Sequence, residues 1–491
     1  MRRVLIAGLI GLTTANTAFA DPGISVSPSI GVAELYTDNV AGLQKSQPDL
    51  VTQVSPGVSI NGESAYTKVN LTYQPTFNHF DIGNSPDRID QSLNGTGTIT
   101  PLRDELTIDF QTIANEAGAS GNSSNQQGVL VPSNNLVLYY IGSLTPHLQE
   151  HLGDVATLDA YYGLNSSNTS VQGTKLPGLG ITSTDTLGQS PELVIGSAES
   201  FGRLGLKLSF KHTDNSGSGM NTSSTSDVDT LGGLYHLNRV YGVSGSVGYQ
   251  DINYPANGTT IAYESSGLTW TIGITITPND QSSIALGYGF QQGAYNPSVQ
   301  VGYALGQRTK VSASYLVTVQ NQLTSTLQNL RFLTYDQFGN PIDSRTGLPF
   351  SAVNQTFGSQ NVLFRDKPAI LSVSHQFMRS SVTLTGQYED RTSLTGLSSE
   401  SKTLGVSINY SREFNPLLQG TLNVAYADNT STGVGAFTGE AKTISLSASL
   451  FYRLSDTTTI NIIGNYFNSM SNVPTNGSTT QQLTVGLRKS F

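Results

Sequence analysis

The sequence predicts an all-β protein: a single transmembrane antiparallel up-and-down β-barrel of about 22 strands, with bounds of about 20 and 24. Three observations predict it. Apolar and uncharged polar residues alternate along segments of roughly ten residues. Tight connections and long connections alternate between these segments. Charged residues make up only 12% of the chain, whereas a soluble globular chain carries about 25%.

Composition excludes several other classes. The 491 residues include 51 Gly and no Cys, so disulfides and cysteine-based metal or redox chemistry are absent. The formal charge is −9 and no basic cluster occurs, which argues against nucleic acid binding. Beyond the first segment, no run of about 20 apolar residues predicts a transmembrane helix.

The first segment predicts export. Arg2 and Arg3 precede a short apolar run from Val4 to Leu12, and Ala18-Phe19-Ala20 fits the small-x-small cleavage pattern. We expect residues 1–20 to be a signal peptide cleaved after Ala20, and residues 21–491 to form the barrel. A membrane anchor is the alternative, but the apolar run is too short to span a bilayer.

The strand pattern is clearest over 441–470. Ile444, Leu446 and Leu450 share one parity, and successive side chains of a strand point to opposite faces. The apolar parity should face lipid and the hydroxyl and amide parity the lumen. The expected pore-lining residues are Ser445, Ser447, Ser449, Thr269, Thr271 and Asn461.

The connections fall into two kinds. We count ten tight turns, including "TPHLQEH" and "TPND", and eleven longer connections rich in Asn, Ser, Gly and Thr. In an outer-membrane barrel the short turns are periplasmic and the long loops extracellular. The long connections are expected near 37–49, 82–90, 119–133, 166–184, 214–226, 254–260, 291–297, 323–360, 393–401, 428–440 and 469–479.

A soluble β-sandwich or β-helix is the structural alternative. Such sheets need charge on the outer face and Lys or Arg on the edges, whereas here the polar parity is mainly Ser and Thr. The chain also shows no linker or shift of composition that would separate domains.

The last strand carries its own signal. Leu483, Val485, Leu487 and Phe491 share the apolar parity, and Lys489 is the exception. The ending resembles the C-terminal signature of bacterial outer-membrane proteins, which closes on Phe. This resemblance implies outer-membrane lipid and the barrel-assembly machinery as partners. A Lys near the periplasmic rim can extend its ammonium group into water.

Several stretches resemble a family of outer-membrane β-barrel porins associated with exopolysaccharide and PEP-CTERM export systems. They are "LYTDNV", "LTYQPTFNHF" and "YDQFGNPIDSRTGLPF" followed by "NVLFRDKPAILSVSHQF". The resemblance implies the outer membrane as location, and exopolysaccharide or periplasmic export components as partners. It brings no catalytic residue and no cofactor.

The search for chemistry finds no enzyme signature. His147 and His151 have i, i+4 spacing, but their context predicts an exposed turn rather than a metal site. Asp109, Asp159 and Glu389 lie on the polar parity. They could form an ion-selective or catalytic cluster, and the alternative is that they are separate, solvated charges in the lumen. Asp336 and Asp343 lack the oxygen pattern of a calcium loop. The sequence therefore predicts no catalytic residue, no cofactor and no metal.

Three functions remain open at this stage. The leading hypothesis is a passive pore or export channel for neutral hydrophilic solutes or polysaccharide, because the expected inner wall is Ser, Thr, Asn and Gln. The second is a structural or surface-interaction barrel with no open channel. The third, an outer-membrane hydrolase, lacks a nucleophile and base. The connection 323–360, with Phe332, Phe338 and Phe350, is expected either to fold into the lumen or to lie outside it.

Overall fold

The structure is a computed structural model. It describes residues 23–40, 46–83, 85–103, 105–118, 136–172, 184–198, 201–218, 223–256, 261–321, 325, 333–335, 341–343, 363–395, 399–433, 439–471 and 477–491. The expected signal peptide and its cleavage site at Ala20 lie outside these residues. Most of connection 323–360, including Phe332, Asp336, Phe338 and Phe350, also lies outside them.

The described chain is almost entirely β-strand. Four strands are interrupted once, so that 26 segments of one sheet form 22 strands. The first eleven are β1 (Ile24–Thr37), β2 (Asp49–Glu63), β3 (Thr67–Tyr73 and Thr76–Phe80), β4 (Arg88–Asp90 and Ser92–Leu102), β5 (Leu106–Gly118), β6 (Leu136–Leu152), β7 (Ala156–Gln172), β8 (Thr184–Ser197), β9 (Leu204–Ser218), β10 (Ser224–His236) and β11 (Tyr241–Tyr254).

The second eleven continue in the same manner. They are β12 (Tyr263–Asn279), β13 (Ser282–Gln291), β14 (Ala294–Tyr295 and Ser298–Ala304), β15 (Thr309–Tyr315 and Thr318–Gln320), β16 (Phe364–Gln376), β17 (Ser380–Ser393), β18 (Ser399–Asn415), β19 (Leu418–Gly433), β20 (Gly439–Ser455), β21 (Thr458–Ser471) and β22 (Ser478–Ser490). A small separate hairpin, Leu333–Tyr335 with Pro341–Asp343, lies in the connection between β15 and β16. No helix in the described part of the chain is long and apolar enough to cross a bilayer.

The sheet closes on itself. Each strand pairs antiparallel with the next one along the chain, and β1 pairs with β22 from Ser29↔Ser490 to Thr37↔Gln482. Closure leaves no free edge, which is the condition for a sheet to span a membrane. The predicted up-and-down barrel of about 22 strands is confirmed.

The connections define two ends. The first and last described residues, Gly23 and Phe491, and the tight turns lie at one end, which we call the turn end. The strand ends that flank the long connections lie at the other, which we call the loop end. The half of the barrel nearest each end takes the same name. In outer-membrane barrels the turn end is periplasmic and the loop end extracellular.

One connection at the loop end differs from the prediction. A long connection was expected near 291–297, but Gln291 pairs with Ala294 across a two-residue turn. Gln292 and Gly293 both have positive φ, 50° and 67°. Two consecutive positive φ angles define a type I′ turn, whose twist matches that of a hairpin. A Gln at the first position hides this turn from a sequence pattern that looks for Asn-Gly or Asp-Gly.

The prediction that His147 and His151 lie in an exposed turn is wrong. Strand β6 continues to Leu152, and the turn follows at 153–155, where Gly153 has a φ of 61°. Leu144, Leu148 and Leu152 are exposed on the outer face. Both histidines therefore have the opposite parity and lie on the inner face of a strand.

The two faces of the barrel have the predicted chemistry. Leu446 on β20 is 39% exposed on the outer face, whereas its neighbour Ser445 is 7% exposed on the inner face. Leu404, Val406 and Ile408 on β18 are likewise exposed apolar residues of one parity. Lipid is the natural solvent for such a continuous apolar outer surface.

Aromatic side chains mark the edges of the apolar band. On β11, Tyr241 near the turn end and Tyr249 in the loop half are both exposed on the outer face. Eight residues of a tilted strand span roughly 20 Å of membrane depth. Tyr452 on β20 lies near the turn end, and Tyr426 on β19 lies just inside the loop half. These positions fit the two interfacial girdles of an outer-membrane barrel.

The final strand accommodates its exceptional lysine. Leu483, Val485 and Leu487 are exposed on the outer face, and so is Phe491. The Nζ atom of Lys489 lies 5.2 Å from the centroid of the Phe491 ring. A cation over an aromatic face is favourable at an interface, so the ring offsets part of the cost of a charge on this parity. That these residues form an insertion signal stays a prediction.

Leu446 and Ser447 provide a matched test of the two faces. Leu446→Arg places a charge near the middle of the apolar band and should lower the free energy of unfolding by about 2–4 kcal/mol. Ser447→Arg extends into the lumen and should change it by about 0.5 kcal/mol or less. Urea unfolding in lipid vesicles measures both. Equal losses would contradict the assignment of faces.

The orientation is tested by epitope insertion. A tag inserted beside Gly217 or Gly433, at the loop end, should bind antibody on intact cells. A tag beside Asn279, at the turn end, should bind only after the outer membrane is permeabilised. Flow cytometry distinguishes the two. Labelling of the Asn279 insertion on intact cells would reverse the orientation.

Candidate functional site

The turn half of the lumen contains a polar cavity of about 1700 Å³. The inner faces of β1–β12 form its wall, because the polar parity of each strand points inward. Most lining side chains are hydroxyls and amides that both donate and accept hydrogen bonds. They include Ser25, Asn61, Asn70, Thr96, Gln111, Ser143, Asn165, Ser190, Thr213, Ser246 and Thr271.

Four neighbouring strands carry a row of ionisable side chains on the inner face, which we call the β6–β9 row. Asp159, Tyr161, Glu192 and Lys211 line the cavity, and His147 lies beside them. The Nε2 atom of His147 lies 3.0 Å from Oδ1 of Asp159. Its ring stacks on Tyr161, with centroids 4.0 Å apart and planes inclined by 8°. The Nζ atom of Lys211 lies 3.2 Å from Oε2 of Glu192.

The strand register brings the β6–β9 row together. His147 is directly opposite Tyr161 on β7, Tyr161 opposite Glu192 on β8, and Glu192 opposite Lys211 on β9. Directly opposed residues on one face have their Cβ atoms about 5 Å apart. The four residues therefore form one continuous strip of the inner face, and three of them, Tyr161, Glu192 and Lys211, line the cavity.

The charges in the cavity have mixed sign. Asp109 accepts a hydrogen bond from the hydroxyl of Thr98 at 2.6 Å. Lys207 and Lys211 face the same cavity as Asp109, Asp159 and Glu192. Opposite charges interspersed among hydroxyls give no strong field of one sign. Such a wall can hydrogen-bond a neutral polyhydroxyl solute without selecting strongly for anions or cations.

Two apolar clusters lie on the inner face in the loop half of the barrel. Leu35, Val51 and Phe80, on the inner parity of β1–β3, form an apolar cluster with Val40. A second cluster joins Ile252, Tyr254, Val319 and Leu363, with Tyr263 and Leu394 against it. Every clustered residue is at most 9% exposed. Apolar side chains on an inner face are stable only when water is excluded from them.

The type I′ turn between β13 and β14 is held against its neighbours. The backbone N–H of Gln292 donates to Oε1 of Gln250 at 2.9 Å, and its carbonyl accepts from the Tyr263 hydroxyl at 3.0 Å. Its side-chain Oε1 accepts from the backbone N–H of Val319 at 2.7 Å. These bonds tie β11, β12 and β15 to one turn and compensate for a non-glycine residue at positive φ.

An ion cluster lies at the base of the long connection between β15 and β16. The Nη2 atom of Arg391 lies 3.3 Å from Oδ2 of Asp366 and 2.6 Å from Oε1 of Glu389. Gln320 also donates to Oδ2 of Asp366, at 2.9 Å. The side chains of Arg391 and Asp366 are 4% and 3% exposed. Breaking such a buried pair is costly, so the cluster fixes the start and the end of the connection together.

The predicted site residues are only partly brought together. Asp109 and Asp159 line the cavity, but Glu389 lies in the ion cluster, so the three acidic residues do not form one group. Thr271 lines the cavity. Thr269 and Ser445 are buried on the inner face, and Ser447, Ser449 and Asn461 share the inner parity of β20 and β21. That these six residues line a pore stays a prediction.

Sequence reasoning missed most of the β6–β9 row. Tyr161 shares the parity of Asp159, and Glu192 and Lys211 have the polar parity of β8 and β9, so each is individually detectable. Their adjacency depends on register, which a single sequence does not show. Among the described residues, no group of three or more His, Cys, Asp or Glu side chains is arranged to hold a metal ion.

The comparison with solved structures identifies the class. The FrpB iron transporter from Neisseria meningitidis (F5-1 variant) matches with a TM-score of 0.53 and 10% identity, over 96% of this chain and 83% of that one. The ferric-catecholate import receptor Fiu from E. coli, in its closed form, matches with a TM-score of 0.52 and 9% identity, over 94% and 81%. The siderophore receptor PiuA from Acinetobacter baumannii matches with a TM-score of 0.50 and 11% identity, over 95% and 82%.

The chain is thus an outer-membrane β-barrel protein. No protein-family model and no curated protein sequence matches it. Identity this low shows the fold alone. The similar structures named above are transporters and receptors, in agreement with the expectation that this chain is not an enzyme.

The chain lacks cysteine, so single introduced thiols can test the two halves of the lumen. Ser246 lines the cavity, and Ile252 lies further along β11 on the same inner face, at 4% exposure. A charged thiol reagent should modify Ser246→Cys at least about tenfold faster than Ile252→Cys, because only an accessible thiolate reacts. Mass spectrometry of the folded variants measures both rates. Equal rates would show that the loop half is as open as the turn half.

Proposed function

We propose that the protein is an outer-membrane transport channel for polar, uncharged solutes, with saccharide chains as the preferred class. The observation that carries this proposal is the cavity in the turn half. Its wall is rich in hydroxyl and amide groups, and its charges are of mixed sign. Saccharides present many hydroxyls and little charge, so such a wall replaces their hydration hydrogen bonds without attracting one ion strongly.

Two likenesses support the proposal. The similar solved structures are named as transporters and receptors for iron and siderophores, but their ligands are not carried over because identity of 9–11% shows only the fold. The resemblance of "LTYQPTFNHF" to exopolysaccharide-associated barrels favours saccharide as the solute and periplasmic export components as partners.

We infer that the passage is gated rather than permanently open. The apolar clusters around Leu35 and Leu363 bury inner-face side chains in the loop half, which supports a route that is restricted there. Transport then requires these contacts to open, as in proteins in which a minor open state is populated by a ligand or partner.

A second function is favoured by the same packing. A barrel whose loop half stays closed would only anchor the surface loops, as a structural or surface-interaction protein. The two functions differ in whether any polar solute crosses the barrel, and reconstitution separates them.

Deletion of residues 330–352 tests whether the protein transports a solute or only anchors its surface loops. The stretch contains three Phe, at 332, 338 and 350, and loop shortening costs little because closure entropy varies slowly with length. If the connection contributes to closure, the deletion should raise single-channel conductance and the swelling rate of vesicles in neutral oligosaccharides, with weak ion preference.

Wild-type protein reconstituted at the same density is the reference, and heat-modifiable gel mobility confirms folding of both. Conductance that is present but unchanged would place the connection outside the passage. No conductance and no swelling from either protein would favour the anchoring function over transport.

A further inference from the structure

Five consecutive strands carry charged side chains on their lipid-facing parity in the loop half. The lysines lie on alternate strands: Lys367 on β16, Lys402 on β18 and Lys442 on β20. Asp390 on β17 and Asp428 on β19 lie between them. We call these five residues, with Glu400 and Glu440, the lysine–carboxylate belt.

Parity places the belt on the outside of the barrel. Lys402 is two residues from Leu404, which is 51% exposed, and Lys442 is two residues from Ile444, which is 38% exposed. Lys367 has the parity of Leu371, which is 52% exposed. Since exposed apolar side chains of the barrel face lipid, the lysines face the lipid side as well.

The belt contains three groups of ion pairs, one around each lysine. Nζ of Lys367 lies 3.0 Å from Asp390, and Nζ of Lys442 lies 3.9 Å from Asp428. Lys402 and Lys442 also lie 2.7 and 2.6 Å from Glu400 and Glu440. The Lys402 and Lys442 side chains are 50% and 42% exposed. Exposed pairs of this kind contribute little to stability, so stability alone does not account for the alternation.

Aromatic residues give the depth of the belt. Tyr388 and Tyr426 are exposed on the outer face, two residues nearer the membrane centre than Asp390 and Asp428. Tyrosine is enriched where the hydrocarbon meets the headgroups. The lysine ammonium groups therefore lie just beyond the hydrocarbon, at the level of lipid phosphates.

Another sector of the barrel lacks this arrangement. At the loop ends of β9–β11, the outer parity carries His212, Asp227, Asp229 and Asp251, with His212 2.6 Å from Asp227. Among the described strand residues, the three belt lysines are the only lysines on the outer parity of the loop half. The lysines are thus concentrated on one side of the barrel.

We propose that the lysine–carboxylate belt binds the phosphorylated headgroup of an outer-leaflet lipid. The ammonium groups of Lys402 and Lys442 pair with phosphate oxygens. A lipid, rather than a free phosphate, fits because the apolar face beneath Tyr388 and Tyr426 receives its acyl chains.

The test compares two double variants that each remove two positive charges. Lys402→Gln/Lys442→Gln alters the belt, and Lys310→Gln/Lys489→Gln alters lysines near the turn end. The barrels are placed in vesicles that contain either bisphosphorylated or dephosphorylated lipid A with Mg²⁺, and are then extracted. Native mass spectrometry counts the lipid molecules that each barrel retains.

The belt variant should retain bisphosphorylated lipid A roughly tenfold more weakly than wild type. The control variant should match wild type, and dephosphorylated lipid should show no difference among the three. Lys402→Arg/Lys442→Arg should restore retention, which separates loss of charge from misfolding.

Equal retention by the belt variant and wild type would overturn the proposal, and so would an equal loss in the control variant. A last measurement adds inorganic phosphate to the detergent-solubilised wild type and to the belt variant. Binding of inorganic phosphate that the belt variant loses would assign the belt to a free anion and overturn the lipid assignment.

Discussion

Closure of the sheet is the constraint on which the rest of the molecule depends. In hydrocarbon, an unpaired backbone N–H or C=O group has no water to bond, so a spanning sheet cannot have an edge. The pairing of β1 with β22 meets this requirement with the final residues of the sequence, from Gln482 to Ser490. An even strand number and the alternation of tight and long connections follow, because each strand must return to the end from which its neighbour began.

Closure also separates the outer and inner surfaces, and the low charge content is its consequence. Lipid admits charge only near the interfaces, which is where Lys489 and the lysine–carboxylate belt lie. The inner surface has no such restriction, so Asp159, Glu192 and Lys211 occur within the span. A soluble barrel would need the opposite distribution of charge, with charged residues on its outer surface and few on its inner surface.

The sequence predicted what depends on period and missed what depends on register and packing. Strand parity follows from the pleat alone, so the outward position of Leu446 and the strand number were predictable. The tight turn at Gln292 was not, because its positive φ is stabilised by Gln250, Tyr263 and Val319, which lie elsewhere in the chain. His147 was assigned to a turn because a short polar stretch on a strand resembles one.

The apolar residues of the loop half show why a parity rule is incomplete. Leu35, Val51 and Ile252 have the inner parity, where a hollow barrel would have polar side chains, yet each is at most 4% exposed. They are stable there because they pack against one another and against Val40 and Leu363, so part of the inner face in the loop half is covered by protein. The polar wall of the turn half lines a cavity, whereas these apolar side chains are shielded from water, and this difference accounts for the opposite chemistry of two regions with the same parity.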